Sequence, residues 1–114
     1  MILSWLQIRR HYAETADSSV ALKAILNLVD EITASQYADG LFAWTSMHDL
    51  CIAQTCVTYP YDGPYLRISP RDYGQLEFQY LDTPAVDKQW HRTVDGDDAF
   101  GHLESFVTQL HWFA

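Results

Sequence analysis

Residues 65–80 read YLRISPRDYGQLEFQY, and this stretch decides the fold. Apolar and polar side chains alternate over residues 65–69 and again over residues 76–80, which is the period of a strand with one buried face. Between them, residues 70–74 supply the proline, aspartate and glycine that are typical of a tight turn. The stretch therefore predicts an antiparallel hairpin.

Strand-like segments lie on both sides of this hairpin. The candidates are residues 42–46, 50–54 and 88–94. Alternation in the last of them places Trp90 and Val94 on the inner side and His91 on the wet side. A tight turn or bulge at residues 47–49 would join the first two segments, although a short helix over residues 46–54 is an alternative, because brief apolar runs do not distinguish the two. The middle of the chain thus predicts a meander of three to five strands.

The N-terminal third of the chain has helical periodicity. Apolar residues recur there at spacings of three and four, at Leu22, Ile25, Leu26, Val29 and Ile32. One of residues 17–19 is expected to cap the start of this helix, and Gly40 is expected to end it in the left-handed conformation. A shorter helix over residues 2–12 is expected before it, and the two could form one bent helix or two separate ones.

The C-terminal residues return to the helical period. One apolar stripe contains Leu103, Phe106, Val107, Leu110 and Phe113. Asp97 or Asp98 is expected to cap this helix, although Gly101 weakens it. We therefore predict a single α+β domain, residues 1–114, in which terminal helices pack on one face of an antiparallel meander to form two layers.

The charge balance restricts the kind of partner. The chain of 114 residues has 7 Lys and Arg against 15 Asp and Glu, for a net charge of −8. Because the basic residues are scattered, we expect no binding to nucleic acid or to an anionic membrane surface. A basic protein would be attracted, and encounter with it would be fast. Only two cysteines occur, and no run approaches the roughly 18 apolar residues of a membrane span, so a cytoplasmic location is expected.

No catalytic or metal-binding motif stands out. The nearest approach to a nucleophile is Cys51 beside His48 and Asp49, but on a strand residues 48 and 51 face opposite sides, and a half-buried thiol is the simpler interpretation. The five histidines lack metal-ligand spacing, and no glycine-rich nucleotide motif is present. The acidic run at residues 95–98 lacks the rest of a calcium loop and is interpreted as a turn and cap. We predict no catalytic residues, no metal and no cofactor.

Residues 59–65, YPYDGPY, are the strongest candidate for a binding surface. Two prolines stiffen this segment, and tyrosines are common at binding surfaces because they bury much area at little entropic cost. We predict that the surface comprises Tyr59, Tyr61, Asp62 and Tyr65, joined by Asp72 and Tyr73 from the next turn. The alternative is that these rings cover one end of the core.

The sequence therefore predicts a small, acidic, cytoplasmic protein-binding domain. Its most concrete form is an immunity-type inhibitor that neutralises a basic toxin or nuclease. The alternative is a small enzyme or ligand-binding domain with a pocket near His48 and Cys51. A third interpretation is a homodimer through the wet face of the sheet or the aromatic end.

Overall fold

The computed structural model describes residues 2–55, 64–82, 85–110 and 112. Two helices come first, then five strands, then a third helix: α1 (Trp5–Thr15), α2 (Val20–Thr33), β1 (Phe42–Ser46), β2 (Asp49–Ala53), β3 (Tyr65–Pro70), β4 (Gln75–Leu81), β5 (Trp90–Asp95) and α3 (Ala99–Gln109). The strands form one antiparallel sheet in the order β1-β2-β3-β4-β5. The predicted α+β meander between terminal helices is confirmed.

The hairpin predicted from residues 65–80 is present, with Tyr65 opposite Leu81 and Pro70 opposite Leu76. The backbone N–H of Arg71 donates to the carbonyl of Gln75 at 2.8 Å and closes the turn. Residues 47–48 form the turn between β1 and β2, so the short helix considered for this region is wrong.

The N-terminal region contains two separate helices, because a 3₁₀ turn at Ala16–Ser18 divides them. The hydroxyl of Ser19 accepts the N–H of Leu22 at 3.0 Å, which confirms a cap within residues 17–19. The predicted end at Gly40 is wrong: α2 ends at Thr33, and Gly40 has a φ of −110°. Ser35 ends the helix instead, because its hydroxyl donates to the carbonyl of Ile32 at 2.7 Å and accepts the N–H of Tyr37 at 3.1 Å.

The main core lies between the helices and one face of the sheet. Its fully buried strand residues alternate along the chain, and they include Leu50, Ile52, Leu66, Ile68, Leu76 and Phe78. Ile8, Ile25 and Leu103 are among the helical residues that pack in the same cluster. The predicted two layers are therefore present, with α1, α2 and α3 on one face. No helix in the described ranges is long and apolar enough to cross a membrane.

The opposite face of the sheet is only partly wet. A second buried cluster lies there on β1, β2 and β3, and it contains Trp44, Cys51, Ala53 and Tyr65. The rings of Trp44 and Tyr65 are 5.1 Å apart. Strand alternation alone predicts one buried and one wet face. Residues 50–53 of β2 are nevertheless all buried, because this cluster covers the side chains on the second face.

The meander determines which connections lie together. Successive strands alternate in direction, so the turns at residues 47–48 and 71–74 and the β5–α3 turn (Gly96–Asp98) lie at one end of the sheet, here called the turn end. Ala53 and Tyr65, which flank the connection between β2 and β3, lie at the other end.

Candidate functional site

Tyr73 stands at the tip of the β3–β4 turn. Its side chain is 99% exposed, and its φ is 59°, in the left-handed region that a bulky residue rarely adopts. Gly74 follows with a φ of 75°, which costs glycine little. The ring therefore points away from the core on a strained backbone, and such strain is concentrated at functional positions in proteins.

The ring of Tyr73 lines a surface depression of about 310 Å³. Val20, the first residue of α2, contributes an apolar wall and is 72% exposed. Three aspartates complete the lining: Asp95 at the end of β5, and Asp97 and Asp98 in the β5–α3 turn. An exposed aromatic ring, an aliphatic side chain and three acids thus share one concave surface.

Close packing of two glycines brings these elements together. A Cβ atom added to Gly96 would lie 2.5 Å from the Cβ of Ala24 and 2.8 Å from the carbonyl oxygen of Gly74. A Cβ added to Gly74 would lie 2.9 Å from Val20. The β3–β4 turn, the β5–α3 turn and the start of α2 therefore touch at positions that exclude a larger side chain.

The predicted cap of α3 is present in position but not in hydrogen bonding. Asp98 occupies the position before α3, but its side chain makes no capping hydrogen bond. The helix N-terminus still favours negative charge at this point through its dipole.

In the described part of the chain, no three His, Cys, Asp or Glu side chains are arranged to hold a metal ion. The chemistry of the depression suits an organic cation with an apolar stem.

The residues of the predicted binding surface separate into three groups. Asp72 and Tyr73 are exposed at the turn end. Tyr65 starts β3 at the opposite end, is only 8% exposed and packs against Trp44. Tyr59, Tyr61 and Asp62 lie outside the described residues, and their role stays a prediction. Sequence reasoning missed Val20 and interpreted Asp95, Asp97 and Asp98 as a turn and cap. No sequence signal connects Val20 with these aspartates, because the fold brings them together from distant parts of the chain.

The nucleophile considered at Cys51 does not have the required geometry. Cys51 is 1% exposed on the sheet face opposite the helices, and burial raises the pKa of its thiol to about 12. Asp49, the candidate partner of His48, accepts the Nε–H of Arg67 at 2.5 Å. His48 is exposed in the β1–β2 turn, and its ring is 6.2 Å from that of His11. A protonated buried thiol and an acid already paired with arginine do not form a nucleophile and base.

Comparison with known proteins finds no matching family model, no similar curated protein and no similar solved structure.

Proposed function

We propose that the protein is a protein-binding domain that holds a lysine or arginine side chain of a basic protein in the depression beside Tyr73. The observation that carries the proposal is the ring of Tyr73, which is almost fully exposed on a strained backbone and shares a concave surface with three aspartates.

The lining residues match the two parts of a basic side chain. Val20 and the ring of Tyr73 offer apolar surface to the methylene stem, which long basic side chains commonly bury. The face of a tyrosine also attracts a cation, by about 0.5–1 kcal/mol at an exposed site. Asp95, Asp97 and Asp98 supply acceptors for charge-assisted hydrogen bonds.

The net charge of −8 adds long-range attraction to these contacts. It would raise the association rate with a basic partner and make binding sensitive to salt. A cytoplasmic inhibitor that covers the cationic active site of a toxin or nuclease, in the manner of an immunity protein, is the most specific function that this chemistry fits.

The first test is a titration of isotope-labelled protein, followed by NMR, with a blocked peptide that alternates arginine and glycine. We expect shifts at residues 20–24, 73–74 and 95–98, and no comparable response to the same peptide with citrulline in place of arginine. Asp95→Asn is expected to weaken binding by about threefold. Asp87→Asn, the same charge change before the other end of β5, is the matched control and should have little effect.

Tyr73→Gly separates recognition from folding. We expect it to weaken peptide binding by about twofold to fivefold through loss of the ring. Its free energy of unfolding should not fall, and should rise by up to about 1 kcal/mol, because glycine relieves the left-handed strain. Equal binding of the citrulline peptide, or equal losses in Asp95→Asn and Asp87→Asn, would contradict the proposal.

A further inference from the structure

Strand β5 is an edge of the sheet. In the described ranges it pairs only with β4, from Gln75 opposite Asp95 to Tyr80 opposite Trp90. The other edge is different, because the N–H of Leu3 donates to the carbonyl of Ala43 on β1 at 2.8 Å. An edge strand offers a row of backbone donors and acceptors to another extended segment.

A groove runs along this edge between β5 and α3. A hollow of about 50 Å³ lies in it, lined by Trp90, Arg92, Val94, His102, Phe106 and Gln109, among others. Trp90, expected on the inner side, shares a face with Val94 but is 44% exposed. Its ring lies 5.5 Å from that of Phe106. The groove therefore presents half-covered aromatic surface beside an open strand edge.

Arg92 lies between Trp90 and Val94 on the same face of β5. It is exposed, and it forms no ion pair with any residue that the structure describes. The three side chains of β5 that face the groove are therefore apolar at Trp90, basic at Arg92 and apolar at Val94.

We propose that β5 accepts an extended segment of a partner protein as a sixth strand, and that this segment carries an acidic side chain between two apolar ones at alternate positions. Strand addition of this kind supplies main-chain hydrogen bonds for affinity and uses alternate side chains for specificity. The acidic side chain lies opposite Arg92, since opposite charges across a strand pair stabilise it. The apolar ones lie opposite Trp90 and Val94. The side chains of β5 that contact the segment, those of Trp90, Arg92 and Val94, do not line the acidic depression, so the inference does not depend on the proposed function.

A second copy of the chain fits this edge poorly. Antiparallel pairing of two β5 strands that puts Trp90 opposite Val94 of the other copy also puts Arg92 opposite its own counterpart. Like charges in direct cross-strand contact destabilise a pair. A small-molecule ligand also fits poorly, because the hollow is far smaller than the roughly 300 Å³ or more of such sites. A segment of another protein with one acidic side chain avoids the contact between two arginines and does not need a large cavity.

The test uses a blocked heptapeptide in which threonine alternates with leucine, glutamate and leucine. Because both ends are blocked, its only carboxylate is the glutamate side chain. We expect NMR shifts along β5 and on the facing side of α3. Replacing glutamate with glutamine, or Arg92 with glutamine, should each weaken binding by about threefold to fivefold. Lys88→Gln, an equal charge change just before β5, is the matched control and should leave affinity unchanged.

A charge exchange tests the pairing directly. Arg92→Glu should reject the glutamate peptide and bind its lysine counterpart, while the folded state is verified by circular dichroism. A peptide N-methylated at alternate residues on its pairing edge should not bind the wild-type protein, because it cannot complete the backbone ladder.

Several results would overturn the inference. They are absence of binding at millimolar peptide, undiminished binding of the N-methylated peptide, and equal affinity of Arg92→Glu for the glutamate and lysine peptides. Self-association detected by sedimentation, with concentration-dependent NMR shifts along β5, would also overturn it. Asp95→Asn should leave the glutamate peptide bound, so failure here is distinguishable from failure at the acidic depression.

Discussion

At the scale of single residues, two exposed side chains occupy unfavourable backbone conformations at the turn end. Met47 has a φ of 57° and is 88% exposed, and Tyr73 combines a φ of 59° with nearly complete exposure. Left-handed conformation costs a non-glycine residue about 1–2 kcal/mol. Glycine would form either turn without this cost. Tyr73 also lines the acidic depression, and the two observations together are the reason we propose a role outside folding for its ring.

Cys51 gives the clearest residue-scale prediction, because burial raises the pKa of its thiol from 9.0 to about 12. In a Cys56→Ser variant, alkylation of the native protein near pH 8 should be on the order of a thousandfold slower than that of an ordinary thiol, in proportion to its smaller thiolate fraction. Denatured protein should react at the ordinary rate. Rapid alkylation of the folded protein would contradict this burial and reopen Cys51 as a nucleophile.

The raised pKa of Cys51 also makes the stability of the protein depend on pH. Below pH 9 the thiol is protonated in both the folded and the unfolded state, so its burial contributes fully to the free energy of unfolding. As the pH rises towards 12, the unfolded thiol ionises first and the free energy of unfolding falls. Burial raises the pKa of Tyr12 as well and acts in the same direction. Cys51→Ala should therefore reduce the fall in the free energy of unfolding at high pH without abolishing it, because Tyr12 remains.

At the scale of elements, local patterns were predictable and non-local contacts were not. The hairpin of residues 65–80 follows from alternation and turn residues, both of which act within a few positions. The end of α2 was mispredicted because the hydroxyl of Ser35 competes for the helical backbone before Gly40 is reached. For Tyr65 the sequence leaves open a binding surface or a cover for the core, because no local pattern reveals the second buried cluster. Likewise, only the assembled meander brings Tyr73 beside Asp97.

Helix caps provide a matched comparison between elements. Ser19→Ala should lower the free energy of unfolding by about 1 kcal/mol, because its hydroxyl satisfies an N–H in the first turn of α2. Asp98→Ala should change it by no more than about 0.5 kcal/mol, since Asp98 makes no capping bond and contributes mainly through the helix dipole. Urea denaturation measures both. Equal losses would mean that Asp98 caps α3 in solution.

At the scale of the whole molecule, the turn end depends on a close contact between distant parts of the chain. Gly96 touches both α2 and the β3–β4 turn, and it therefore fixes the position of the aspartates relative to Tyr73. The β5 edge and its groove lie along the side of the sheet and do not use this contact. The protein thus presents an acidic end and a separate strand edge, whose Arg92 forms no ion pair within the described ranges.

Two glycine substitutions test this arrangement. Gly96→Ala should lower the free energy of unfolding by about 1–3 kcal/mol, because the added methyl group collides with Ala24 and with backbone. Gly101→Ala should raise it by about 1 kcal/mol, since no atom lies within 4 Å of its added Cβ and alanine is the better helix former. Thermal or urea unfolding distinguishes the two. Similar effects of both substitutions would show that the turns do not touch as described.

The sequential order of the strands also governs how the chain folds during synthesis. Each strand pairs with the one made just before it, so every step of sheet growth closes a short loop. Helix α2 is made earlier and packs against α1, which precedes it, but also against β3 and β4, which the ribosome has not yet produced. Part of its apolar face therefore stays uncovered until β3 and β4 emerge. That interval is when the chain most needs protection from aggregation.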